Sequence, residues 1–239
     1  MKSKFKACLK ALILPAFIGS FAIATPAHAQ FGKFKDLVDS SVGNNSGLMS
    51  RKELKAGYSE ITSNFVYTSQ NMLRAHSITL EALGKKEEAA KYSQYADSMT
   101  LGDCKSTCVK NTIIVSQEAN SEAQSALETS ETLSEESKSI LASAVDPYLQ
   151  GTLSAVKLPK QYSSWVNNAK DTMQGAKSNP LAIRKLISIG QQIPQAVEVT
   201  TELPGLINQW QKTTRNFNRV ATQAGIDTKE IDASLDEEF

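Results

Sequence analysis

The chain has 239 residues, 26 basic and 25 acidic, with 41% hydrophobic and 7% aromatic side chains. That balance argues against nucleic-acid binding, which calls for a basic stripe or a high isoelectric point, and against electrostatic attachment to anionic lipid. The length suits one sizeable core or two small ones.

Residues 1–29 read as a cleaved signal peptide. Lys2, Lys4, Lys6 and Lys10 make a basic start without an acid, "ALILPAFIGSFAIA" supplies a short apolar run, and "TPAHAQ" puts Ala27 and Ala29 at the small-residue cleavage positions. Pro15 and Gly19 interrupt the run, which weighs against a retained anchor. Cleavage after Ala29 leaves Gln30 first and takes Cys8 away. It also removes four lysines, leaving 22 basic against 25 acidic residues and a net charge of −3. No later run of eighteen apolar residues exists, so no transmembrane anchor is expected after processing. The expected location is periplasmic or secreted.

Residues 30–47 read as a short N-terminal helix and a linker. Phe31, Phe34, Leu37 and Val38 give 31–42 an amphipathic pattern, and "GNNSG" at 43–47 is a break. A helical bundle domain is expected over 48–226. Ser50 followed by Glu53 is a capping box. Leu54, Tyr58, Ile61, Phe65, Thr68, Met72, Ala75 and Thr79 then recur at coiled-coil-like steps of four and three, a seam ending near Leu83 with Gly84 as the left-handed cap. "KKEEAAKYSQYADSM" starts a second helix with Ala89, Tyr92, Tyr95 and Met99 on one stripe.

The stretch 109–145 reads as helix of another texture. Between Ser116 and Ser143 lie eight Ser, six Glu and one Lys, and the apolar positions are mostly small: Ala119, Ala123 and Ala126. Small side chains remove little area from water, at about 25 cal/mol per Å². This is therefore expected to be the most exposed or mobile helix, broken near Thr132 and re-capped by Ser134.

Pro147 and Pro159 punctuate the next segment, and a helix over "KQYSSWVNNAKDTMQGAK" carries Tyr162, Trp165, Val166, Ala169 and Met173. Asn179 before Pro180 reads as a helix start. Pro194 is expected to kink or end that helix, "QAVEVTTEL" to form a short one, and a final helix to run over 204–224. The last carries Leu206, Ile207, Trp210, Phe217, Val220 and Ala224 on one face and Lys212, Arg215 and Arg219 on the other. The acidic tail 227–239 is expected to be ragged or loosely docked. The fold class is all-α: an elongated antiparallel bundle led by the 50–83 helix.

For chemistry, Cys104 and Cys108 come first. An oxidising compartment favours a disulfide between them, and so short a loop contributes only about 2 kcal/mol on the entropic account. A redox catalyst would use a two-residue gap in a β/α setting, and a zinc site would need ligands that are missing nearby; no metal or cofactor is expected. His76, the only mature histidine, is expected to be a partly buried side chain with a backbone partner. No G-x-S-x-G, H-E-x-x-H, phosphate-binding loop or dinucleotide motif occurs, and the paired carboxylates Glu87/Glu88 and Glu135/Glu136 point apart on a helix. Tyr148, Tyr162, Trp165 and Trp210 are the candidates for an interaction surface.

The leading expectation is a non-enzymatic interaction or scaffold protein of the bacterial cell envelope, an accessory subunit of an exported assembly. It would engage a protein partner or itself, with contact at a membrane surface allowed and nucleic acid excluded. The alternatives are a secreted helical membrane-active protein, with "AIRKLISIGQQIPQAV" as its nearest lipid-entering stretch, and an enzyme of unrecognised type.

Overall fold

Ser50 closes the capping box that starts the longest seam. Its hydroxyl accepts from the Glu53 amide at 3.3 Å, and its own amide donates to Glu53 Oε2 at 2.6 Å. Hydrogen bonding to the Glu53 carboxylate from the Ser50 side chain, and secondarily from the Ser50 amide, holds it below its ordinary range. In the computed structural model the described residues are 48–99, 106–130, 132–178 and 180–235. The expected leader, the 31–42 segment, its linker, Cys104 and Asn179 lie outside them.

Helix α1, Arg51–Ala82, ends as its sequence implies. The Lys85 amide reaches back to Leu80 O at 2.8 Å, and Gly84 takes φ +80°, the left-handed conformation that costs glycine least. α2 is Lys86–Ser98, α3 Ser106–Glu128, α4 Glu135–Ala142, α5 Val145–Ala155 and α6 Leu158–Gly175. A 3₁₀ turn, Ala176–Ser178, precedes α7, Pro180–Gln223, and α8 is Lys229–Leu235. The described residues form an all-α helical bundle.

Seven of the eight seam positions of α1 are buried; Tyr58 is half-buried. The helix also buries a second stripe, Val66, Leu73 and Leu80, one heptad apart, against Ala89, Tyr92 and Ala96 of α2 and Ala119, Ala123 and Ala126 of α3. Between Ile61 and Leu80 only Arg74 is exposed. α1 is therefore the central helix, with neighbours on more than one side.

That arrangement changes the expected role of the Ser/Glu-rich helix. Ala119 and Ala123 are wholly buried, as are Ser116 and Thr112, and the helix packs on both α1 and α7. Its small residues permit close approach to the central helix instead of leaving it exposed. The break at 132 is present, and Ser134 Oγ accepts from the Ser137 amide at 3.1 Å to start α4.

The largest departure from expectation is α7. Pro194 and Pro204 neither end it nor divide it; one helix of 44 residues runs through both. Each proline removes a backbone donor and costs about 3 kcal/mol in a helix interior. Two features offset this. Both prolines sit on the solvent face, where the carbonyls they orphan can be hydrated. And Leu186, Ile189, Ala196, Val199, Leu203, Leu206, Ile207 and Trp210 bury one continuous face across the proline positions.

The tail also departs from its composition. Residues 229–235 form α8 with Ile231 and Ser234 buried, docked on α5 and α7. The Asn218 amide donates to Asp232 Oδ1, and the Thr222 and Thr228 hydroxyls meet at 3.0 Å.

Two glycines test this packing with opposite signs. A Cβ on Gly151 of α5 would fall 2.9 Å from Met72 Cγ and closer still to its Sδ, so α5 approaches α1 as only glycine allows. Gly205 of α7 has nothing within 4 Å of that position. Gly151→Val is expected to lower unfolding free energy by about 1–3 kcal/mol through overpacking. Gly205→Ala is expected to raise it by about 0.5–1 kcal/mol through helix propensity. Urea denaturation followed by circular dichroism checks both; equal effects of one sign would contradict this helix arrangement.

Candidate functional site

The four aromatic residues expected at an interaction surface are all core residues. Tyr148 and Tyr162 are 0% and 1% exposed, Trp165 and Trp210 each 2%. Trp165 Nε1 donates to Leu54 O at 2.8 Å, fastening α6 to the first turn of α1, and its ring lies 5.0 Å from that of Tyr58. The Tyr148 hydroxyl meets Thr79 Oγ1 at 3.3 Å, and its ring stacks 4.3 Å from Phe217. Burial pushes the hydroxyl pKa of both Tyr148 and Tyr162 upward. In a chain this poor in aromatics, the large rings fill the gaps between helices.

His76 lies deeper than expected. It is fully buried, neither ring nitrogen has a hydrogen-bond partner, and its closest aromatic neighbour is Tyr148, edge-on at 5.7 Å between centroids. The expected backbone partner is missing. Burial alone drives its pKa down to about 3, so the ring is neutral at physiological pH. A proton carrier needs a route for the proton and a group to exchange it with; this imidazole packs as an aromatic ring.

Cys108, half-buried in the first turn of α3, sits where the chain enters that helix from Cys104, which lies outside the described residues.

A surface feature that sequence reasoning missed is a groove between α3 and α7, also lined by Tyr58 of α1. It encloses about 210 Å³. Val109, Ile113 and Val199 form its floor, and Ile114, 54% exposed, stands on its edge. Polar residues rim it. Tyr58 Oη donates to Gln195 Oε1 at 3.1 Å, and Lys110 Nζ pairs with Glu198 Oε1 at 2.7 Å. Both ion-pair side chains are about half exposed, so the pair contributes little to stability and marks the groove mainly by its charge. The available signal was "NTIIVSQ", where Ile113 and Ile114 are adjacent and cannot both face one neighbour.

Two further branched aliphatic side chains stand exposed on α7. Ile187 is 55% exposed and Val197 37%. Among the described residues, no helix is long and apolar enough to cross a membrane. No protein-family model, curated protein or solved structure matches the chain.

His76 yields a pH prediction. Its folded pKa lies below the unfolded value of 6.5, so the unfolded chain takes up a proton that the folded chain refuses. The resulting loss of stability is absent above pH 6.5 and grows as pH falls toward 3, by up to about 1.4 kcal/mol per pH unit. His76→Gln, which cannot titrate, should flatten this part of the stability profile. Urea midpoints of both proteins compared across that range decide it; parallel profiles would refute the assignment.

Proposed function

We propose that the chain is an exported, non-enzymatic interaction protein of the bacterial cell envelope, and that its contact surface is the α3/α7 groove with the adjoining face of α7. One observation carries the reading. The large aromatic side chains are turned inward, while branched aliphatic residues, Ile114, Ile187 and Val197, stand in solvent along two neighbouring helices. An apolar patch rimmed by polar groups is the kind of surface that proteins bury against one another. The export half of the reading rests on the leader-like first 29 residues.

The test is crosslinking in cells. A photoreactive side chain at position 114 should trap a discrete adduct in the envelope fraction, whereas one at exposed Lys160 on α6 should not. Ile114→Glu should abolish capture at a neighbouring groove position while leaving the unfolding free energy within about 0.5 kcal/mol of wild type, as expected of a surface change. Equal labelling at 114 and 160, or none at 114, would remove the basis for this reading.

The cysteine clasp belongs to the same proposal. Cys108 takes Cys104, four residues earlier in the sequence, as its disulfide partner in this reading. Intact mass of the exported protein should be two hydrogens below that of the reduced chain. Two alkylatable thiols in freshly exported material would exclude the bond.

A further inference from the structure

Helix α7 carries a solvent-facing stripe of its own. Ile183, Ile187, Gly190, Pro194, Val197 and Thr201 recur at steps of four and three, so they share one face. Ile187, Pro194, Val197 and Thr201 are exposed, and Ile183 and Gly190 partly so. The opposite face of the same helix supplies the core residues Ile189, Ala196 and Val199. A helix buried on one side and apolar along a second stripe has surface that its own bundle does not cover.

The charges beside the stripe suggest what covers it. One flank runs Arg184, Gln191, Glu198, heptad by heptad, with Glu202 one turn further, all exposed. Its basic end is near the start of the helix and its acidic end toward the middle. When two copies of a helix pack antiparallel about a two-fold axis, each flank meets the same flank of the other copy, and residues pair around a common centre. With the centre level with Gln192, Ile187 meets Val197 of the copy, Gly190 meets Pro194, and Ile183 meets Thr201. Arg184 then falls between the levels of Glu198 and Glu202 of the copy. Each of the two symmetric sets of contacts thus places one base against acids, with uncharged Gln191 between. A parallel pair would set unlike flanks together and lose this match. Glu198 already has Lys110 as a partner, whereas Arg184 and Glu202 take part in none of the ion pairs among the described residues.

We propose that the exposed stripe of α7 is a self-association surface, on which a second copy of this chain packs its own α7 antiparallel, with apolar pairing at the centre and Arg184 set against Glu202 at both ends. Gly190 and Pro194 at the centre bring no long side chain, which leaves room there for water on the Gly190 carbonyl that Pro194 orphans. The proposal rests on the interaction-protein reading and names the partner.

Sedimentation equilibrium of the protein produced from the full-length chain tests it. Wild type is expected to be dimeric, and Ile187→Asp to weaken the dimer at least about a hundredfold, because it buries a charge opposite Val197. Arg184→Glu and Glu202→Arg should each weaken it about tenfold, the expected size for two symmetric rim pairs turned repulsive. The double variant R184E/E202R should return to within about threefold of wild type. That recovery depends on the two charges facing each other, and a general loss of folding would not produce it; unchanged circular dichroism of each variant is the accompanying control. A monomeric wild type overturns the proposal, as does a dimer indifferent to Ile187→Asp or a double variant no better than the singles. If wild type is monomeric but crosslinking at position 114 still traps a different protein, the self-association fails and the interaction reading stands. If neither occurs, both fail.

Discussion

The central position of α1 is the constraint on which the rest of the bundle depends. With only Arg74 exposed between Ile61 and Leu80, the polar side chains of that span must find partners within the protein or go without. Several bind backbone across a helix boundary. Gln70 Nε2 donates to Ala96 O at 3.0 Å and Met99 O at 2.7 Å, carbonyls at the C-terminal end of α2, the first of which also accepts from the Met99 cap amide. Ser77 Oγ donates to Ala89 O at 2.7 Å. Thr68 and Thr79 turn back onto Asn64 O and Ala75 O of their own helix. The first two bonds fix where α2 lies along α1, so apolar contact need not choose among sliding registers. His76 and Ser69 are the cost: each holds a buried polar atom without a partner.

Local signals in the sequence were legible where local physics decides the outcome. The Ser50–Glu53 box, the Gly84 cap, the break at 132 and the Ser134 cap all depend on hydrogen bonds within a few residues, and all are present. The first seam of α1 was legible because its period is strict. Its second stripe was not, since Val66, Leu73 and Leu80 alternate with Ser69, Thr62 and His76, which mask the apolar pattern. Pro194 and Pro204 misled for the complementary reason. Their local cost is real, but it acts on the exposed side of a helix whose other side is held by the core. Tail composition likewise concealed Ile231 and Leu235, two apolar residues among acids that are enough to dock one short helix.

The candidate surface was hardest to read. An aromatic residue signals burial or binding equally well, and here all four candidates are spent on the interior. The groove is made of aliphatic residues from helices that are far apart in the chain, Val109 to Ile114 on one side and Gln195 to Glu202 on the other. Within either stretch the one signal is the adjacent pair Ile113 and Ile114, which cannot both face the same neighbour. Only their meeting leaves Ile114 without cover.

The central helix is also made of two halves that differ in how far along the chain their partners lie. Ser77 reaches Ala89, 12 residues on, whereas Leu54 and Tyr58 hold Trp165 and Gln195, 111 and 137 residues away. Closing the longer loops adds little to the equilibrium cost, since each doubling of length adds about 0.6 kcal/mol, but long-range contacts slow folding. The α1–α2 hairpin can therefore consolidate while the C-terminal helices are still emerging or unfolded. The first two turns of α1 must wait for α6 and α7 to arrive. In a chain threaded across a membrane from its N-terminus, the capping box that opens the helix in sequence would be among the last parts of it to be secured.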